Sequence, residues 1–282
     1  MRVDELRFEV NGQLIAARAT GPEEGLPVLA LHGWLDNAAS FRALAPELEG
    51  VRLVALDLMG HGFSGHRPAG TPYYIWDNLA DVIGVADELG WSRFHLLGHS
   101  MGASICSLLA GAMPERVASL VLIEGLGPLV DAPADTPEQM ARAIRRRGRR
   151  SRTAKFYASM EEAVSARMNG QFPVGEQAAR WLVERSIVHT VRGFRWRSDP
   201  ALNLPSVLRM TEEQVRAFLQ RIASPSLLIL GTEGIATELT EARAGCIAHL
   251  EQLTLEGGHH LHLEPEASQR IADAINRFYT AL

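Results

Sequence analysis

Four short segments, scattered along 282 residues, carry side chains suited together to acyl-transfer chemistry. The first is Gly98-His99-Ser100-Met101-Gly102. It directly follows the apolar run Phe94-His95-Leu96-Leu97 and precedes Ile105, Leu108, Leu109 and Ala112 at helical spacing. Strand, tight turn and helix form the context in which a Gly-x-Ser-x-Gly string becomes a nucleophile elbow. The turn strains the serine backbone and lifts its hydroxyl clear of the sheet, and the neighbours two positions away must be small for strand and helix to approach. The helix that opens here offers unpaired backbone N–H groups beside the hydroxyl. A second segment, Leu31-His32-Gly33-Trp34-Leu35-Asp36-Asn37, ends an earlier apolar strand. The backbone N–H groups of Trp34 and Met101 are the expected oxyanion donors, acting on charge that develops only in a tetrahedral intermediate.

The third segment, Glu256-Gly257-Gly258-His259-His260-Leu261-His262-Leu263-Glu264, stands between the last strand and the final helix. His259, immediately after the glycine pair, is the candidate base for Ser100. Three histidines and a glutamate also invite a metal reading. Two of them are adjacent and no other ligand set stands out, so neither metal nor organic cofactor is expected, and His260 and His262 are read as packing residues. In the fourth segment, Asp57-Leu58-Met59-Gly60-His61-Gly62, Asp57 is expected to anchor the loop that follows, and Asp36 and Asn37 are both suited to cap a helix.

These residues need a scaffold that ends several strands at one place. Strand-like runs occur at 6–10, 14–19, 28–32, 52–57, 94–98, 119–124, 226–231 and 251–256, and the inner ones are almost continuously apolar, as strands buried on both faces must be. Helical patterns lie between them. One is expected after Asn37 with Phe41, Leu44 and Leu48, and another from Pro265 with Ile271, Ile275 and Phe278. Alternation of this kind specifies a doubly wound, mostly parallel eight-stranded α/β sheet. After Glu124 the alternation stops for about eighty residues that read as helices over 136–147, 160–168 and 175–187. The expected organisation is a core of residues 1–127 and 206–282 with a helical lid, residues 128–205, inserted after the sixth strand.

Composition narrows the class further. With 46% apolar and 22% charged residues the chain is an ordinary globular one, not a disordered or fibrous one. A net charge of −5 argues against nucleic acid as a partner. The charge is uneven. Residues 128–205 hold 14 basic and 8 acidic residues, a local balance of +6, against −11 for the remainder. Arg142, Arg145, Arg146, Arg147, Arg149, Arg150, Arg152 and Lys155 crowd one stretch, which is either an anion-attracting surface or the solvated side of a helix. Trp181, Phe194 and Trp196 are expected to pack within the lid or line a pocket beneath it. Only Cys106 and Cys246 are present, far apart, which favours a reducing compartment. The N-terminal residues lack a signal-like apolar run and no 18-residue apolar stretch follows, so no membrane association and a cytoplasmic location are expected.

The segments at His32–Asn37, Asp57–Gly65, Ser100 and His259 together resemble the α/β-hydrolase superfamily, and specifically its serine hydrolase-like branch. That resemblance implies a serine hydrolase acting through an acyl-enzyme on a small-molecule ester or related acyl bond, with water as second substrate. Thioesters, lactones and carbon–carbon bonds are alternatives, and a non-catalytic binding protein is the alternative of another class. It also implies a third triad member. Many members carry an aspartate three residues after the strand-ending glycine, which is Gly231 here, but residue 234 is glycine and no aspartate lies between Pro200 and Gly258. Two glutamates remain. Glu124 ends a strand 24 residues after Ser100, and Glu233 is one position from the expected site. An acid at a strand's carboxyl end points at the site, which favours Glu124.

Overall fold

The computed structural model describes residues 2–147 and 155–282, so Arg149, Arg150 and Arg152 of the basic stretch lie outside the described residues. Eight strands form one sheet: β1 (Val3–Val10), β2 (Gln13–Thr20), β3 (Leu26–Leu31), β4 (Val51–Leu56), β5 (Phe94–His99), β6 (Val117–Ile123), β9 (Ser226–Glu233) and β10 (Leu250–Gly258). Their spatial order is β1-β2-β4-β3-β5-β6-β9-β10. The β1–β2 and β2–β4 pairs are antiparallel and every other pair is parallel.

Successive residues of each inner strand face opposite layers, which is why those strands lack polar alternation. Leu29, Leu31, Leu96 and Leu122 join one buried cluster with α1 (Asp77–Glu88), α2 (Met101–Ala112) and α6 (Glu212–Leu219). Val28, Ala30, Leu97 and Ile123 join the other with Phe41 and the Ile271, Ile275 and Phe278 face of α8 (Pro265–Thr280). α7 (Glu238–Ala244) lies between β9 and β10.

Between β6 and β9 the chain forms α3 (Thr136–Arg147), α4 (Met160–Met168) and α5 (Glu176–Ser186), then a hairpin, β7 (Ile187–Thr190) with β8 (Gly193–Trp196). The hairpin departs from the all-helical expectation. Its strands are rich in β-branched and aromatic residues, and Gly193 takes the left-handed conformation (φ 104°) that closes the turn. This stretch shares with Leu263 a small core of Tyr157, Ala163, Ala179, Leu182 and Val183, on which Trp181, Phe194 and Trp196 pack. The chain entering and the chain leaving it run side by side where Val130 pairs with Met210.

The helix expected after Asn37 is instead two 3₁₀ turns, Ala38–Phe41 and Ala45–Glu47. Pro46 accounts for the break, since it lacks an N–H and its ring excludes the carbonyl four residues earlier. Asn37, not Asp36, supplies the cap by accepting from the Ala39 N–H at 2.8 Å.

Candidate active site

Every segment singled out in the sequence arrives at the carboxyl edge of the parallel strands. β5 ends at His99 and α2 begins at Met101, leaving Ser100 alone to reverse direction at φ 54°, ψ −114°. That conformation is strained for a residue with a Cβ, and the surroundings hold it. The Ser100 N–H donates to the Ile123 carbonyl at 2.9 Å. A β-carbon at Gly98 would lie 2.6 Å from the Ala103 backbone, and one at Gly102 would overlap the Leu31 carbonyl. The two glycines of the motif are thus required by the packing of α2 against β5 and β3.

His259 follows a bulge in β10, where the pairing with β9 shifts between Leu255 and Gly258 and Gly257 takes φ 136°. The bulge re-aims the chain at the site. His259 Nε2 lies 3.0 Å from Ser100 Oγ and its Nδ1 lies 3.1 Å from Glu124 Oε2. His99, buried next to the serine, donates its Nε2–H to the His259 carbonyl at 2.8 Å.

Glu124 is completely buried at the end of β6, with φ 53°. Its carboxylate accepts the backbone N–H groups of Gly231 (2.6 Å) and Ile235 (2.8 Å) besides facing His259. A β-carbon at Gly234 would overlap this carboxylate. The glycine at 234 and the glutamate at 124 are therefore one feature: the acid group reaches from the adjacent strand into the space a side chain at 234 would fill. Glu233, the alternative acid, sits at the exposed end of β9 and makes no side-chain hydrogen bond among the described residues. No loop shift carries it to His259.

The two expected oxyanion donors belong to chain segments that meet at the serine. Met101 is the first residue of α2, so its N–H has no acceptor within the helix. Gly33 packs on Ser100, its β-carbon position 3.3 Å from Ser100 Cβ, and Trp34 follows it. Two buried histidines hold this loop. His32 donates Nδ1–H to the Gly33 carbonyl (2.7 Å) and accepts the Leu58 N–H at Nε2 (3.0 Å). His61 donates to the Met59 carbonyl (3.1 Å) and accepts the Leu35 N–H (3.2 Å). Each ring has one donor and one acceptor partner, which requires the neutral form. Burial pushes both pKa values down, His61 to about 3.

Asp57 anchors as expected, accepting the Ala38 and Phe63 N–H groups at 2.8 Å each. It also receives Arg185 of α5 at 2.9 Å, and Arg185 extends to Glu5 at 2.8 Å. Asp36 does not cap a helix and pairs with basic side chains instead. Its carboxylate receives His260 Nε2 (3.0 Å) and Arg167 of α4 (2.9 Å). Burial alone would raise its pKa, but the His260 ring and then the Arg167 guanidinium hold it well below the usual carboxylate range. Arg167 also donates to the Phe172 carbonyl (3.0 Å), and the Phe172 ring centroid lies 4.3 Å from that of His259. Asp36, His99 and His260 converge closely enough to suggest a cation site. The Arg167 guanidinium, 2.9 Å from Asp36 and 3.1 Å from His260, supplies the positive charge there instead.

Arg167, Phe172, His99 and Arg185 were not singled out from the sequence. No local pattern marks them, because each acts across more than 60 positions or through a neighbour in space.

A family model described as alpha/beta hydrolase fold matches residues 27–266. The chain belongs to the alpha/beta hydrolase fold family. This hydrolase-fold protein is 34% identical over 268 residues to a serine hydrolase-like protein of Dictyostelium discoideum, covering 89% of this chain and 74% of the relative. The crystal structure of a hypothetical protein from Pseudomonas aeruginosa PAO1 superposes with a TM-score of 0.94 at 41% identity, covering 98% of this chain and 99% of that one. A thioesterase domain from the curacin biosynthetic pathway superposes at 0.87 with 25% identity, covering 98% and 99%. These relationships put the protein among the hydrolases. No helix of the described residues is long and apolar enough to cross a membrane.

Proposed function

We propose that the protein is a serine hydrolase that cleaves carboxylic esters or related acyl bonds through an acyl-enzyme on Ser100. The observation that carries this reading is the continuous line from Ser100 Oγ through His259 to the buried Glu124 carboxylate, at 3.0 and 3.1 Å. Ser100 Oγ attacks the acyl carbon and its proton passes to His259 Nε2, while Glu124 accepts Nδ1–H, fixes the tautomer and stabilises the imidazolium. The Trp34 and Met101 amides hold the oxyanion, where loss of one donor costs about 3–4 kcal/mol. Collapse of the tetrahedral intermediate expels the leaving group, which takes the proton from His259. Water then repeats the sequence on the acyl-enzyme, giving the free acid and regenerating Ser100.

Residues 128–205 act as the lid. Phe172 over His259, and the ion pair of Arg167 with Asp36, support this role because they connect α4 and the residues that follow it to the loops around Ser100. Similarity to a thioesterase domain supports thioesters among the substrates. The two cysteines are free, Cys106 buried and Cys246 half-buried, which supports a reducing, cytoplasmic setting.

A fluorophosphonate probe tests the assignment. It is expected to label the wild type and to lose its target in Ser100→Ala, with the adduct mapped to residue 100. A folded wild-type protein that takes no label would overturn the reading and favour a ligand-binding role.

A further inference from the structure

A cleft of about 1280 Å³ opens between α3, the loop 68–72 and the turn 199–204. Arg142, Arg145, Arg146 and Arg147 line one side and Trp34 contributes to another. Gln139 and Ala143 bury one side of α3, where Gln139 donates to the Ser206 carbonyl at 2.7 Å and its side-chain oxygen accepts from Arg142, while Arg142, Arg145 and Arg146 remain exposed. Among the described residues none of the four arginines forms an ion pair. The one carboxylate lining the cleft, Asp199, is engaged by the Tyr73 hydroxyl (2.7 Å) and the Ala201 N–H (2.8 Å).

Four uncompensated guanidinium groups within six residues of one helix repel one another, and the pairs 142/145 and 142/146 are neighbours on its surface. The arrangement is unfavourable until an anion enters. A guanidinium pairs with a carboxylate or phosphate two donors at a time, so a single carboxylate would occupy one arginine, whereas four arginines fit a ligand with several phosphate charges. The Trp34 indole is 44% exposed and is tethered by its Nε1–H to the Leu202 carbonyl at 3.2 Å, so it offers a fixed flat face to a heteroaromatic ring. Trp34 connects the cleft to the serine along the chain, since it follows directly on Gly33, whose β-carbon position lies 3.3 Å from Ser100 Cβ.

We infer that this cleft holds the leaving-group half of the substrate: a nucleotide carrying several phosphates, joined through a thioester to the acyl group that Ser100 attacks. The inference rests on the reading of Ser100 as the nucleophile and adds the substrate class. Hydrolysis breaks the carbonyl carbon–sulfur bond, transfers the acyl group to Ser100 and then to water, and releases the phosphorylated thiol protonated by His259.

The test compares one acyl group on three thiols: coenzyme A, phosphopantetheine and N-acetylcysteamine, which carry a phosphorylated nucleotide, one phosphate and none. Wild type is expected to show kcat/KM about tenfold or more higher for the coenzyme A thioester than for the N-acetylcysteamine thioester, mostly through KM, with the advantage shrinking as salt is added. In Arg142→Gln/Arg145→Gln/Arg146→Gln that preference is expected to fall to within about twofold of unity. Wild type treating the coenzyme A and N-acetylcysteamine thioesters alike, or the triple variant keeping the preference, overturns the inference. A phosphopantetheine thioester as good as the coenzyme A one overturns the nucleotide part. If none of the three is turned over, calorimetry with coenzyme A decides: no binding by wild type overturns it, and binding that the triple variant loses supports it. Fluorophosphonate labelling of the same preparations reports on Ser100 separately and verifies that the variant is folded.

Discussion

At residue 124 the proposed mechanism gives a glutamate the task that the resemblance assigns to an aspartate on the next strand, and the cavity for its carboxylate exists because residue 234 has no side chain. Two backbone N–H donors and the His259 ring surround that carboxylate, so its charge is fixed where the imidazolium would form. Glu124→Gln is expected to lower turnover of a short nitrophenyl ester by about 10³–10⁴-fold, because an amide in that place favours the wrong imidazole tautomer. Glu233→Gln is expected to stay within about twofold of wild type, since exposed substitutions of this kind perturb little. The shared space gives a sharper check. Glu124→Ala alone should be nearly inactive, and adding Gly234→Asp should restore part of the rate. A Glu233→Gln variant as damaged as Glu124→Gln, or a double variant without recovery, would refute the assignment of the acid.

Among the elements, the junction of β5 and α2 carries the most constraint. α2 approaches β3 so closely that Gly102 lies against the Leu31 carbonyl, and the same approach orients Ser100 and the Met101 N–H. Gly102→Ala must therefore push the helix away from the sheet. Overpacking of this kind costs about 1–3 kcal/mol of stability, and displacement of the reacting atoms by about 1 Å costs about 100-fold in rate. The expected result is a modest fall in Tm with a much larger fall in kcat, read by thermal denaturation and ester hydrolysis on the same preparation. Equal kcat in wild type and Gly102→Ala would show that the close packing does not position the site. The segment between β6 and β9 follows another logic. Its core is small, and it is tied to the catalytic edge by charged groups that a reader of the sequence sees only as solvated helix charges, Arg167 to Asp36 and Arg185 to Asp57.

Across the whole molecule, the buried histidines set an acid limit on stability. Burial lowers the pKa of His32, His61, His95, His99 and His262 below the ordinary value of 6.5, to about 3 for His61 and about 4 for His95. Below about pH 6.5 the unfolded chain takes up protons at these rings and the folded chain does not. The unfolded state then binds more protons, so stability falls as pH falls, by up to about 1.4 kcal/mol per pH unit for each such histidine. The decline continues until each folded-state pKa is reached. Asp36 acts in the same direction at lower pH, because its depressed pKa contributes stability that is lost only as pH drops through that folded value. Tm is expected to be nearly level above pH 7 and to fall steeply from pH 6 to pH 4.5. A level Tm across that lower range would show that these rings take up protons in the folded state.

Local order was legible in the residues themselves. Apolar runs without alternation require strands covered on both sides, and Gly-x-Ser-x-Gly between a strand and a helix requires a tight turn, so the sheet, the elbow and the carboxyl-edge location of Ser100 and His259 follow from spacing alone. Pro46 is equally visible in the chain, and it is what divides the expected helix into two short turns. What the chain order could not decide was which acid meets His259, since Glu124 and Glu233 differ only in how β6 and β9 lie side by side and in which direction a strand end points. Nor could it separate Asp36 as a cap from Asp36 as the partner of Arg167 and His260, or find Phe172 over the imidazole. Contacts between residues more than a hundred positions apart depend on how layers dock, and docking is set by the summed packing of many side chains, with no signature in any one stretch.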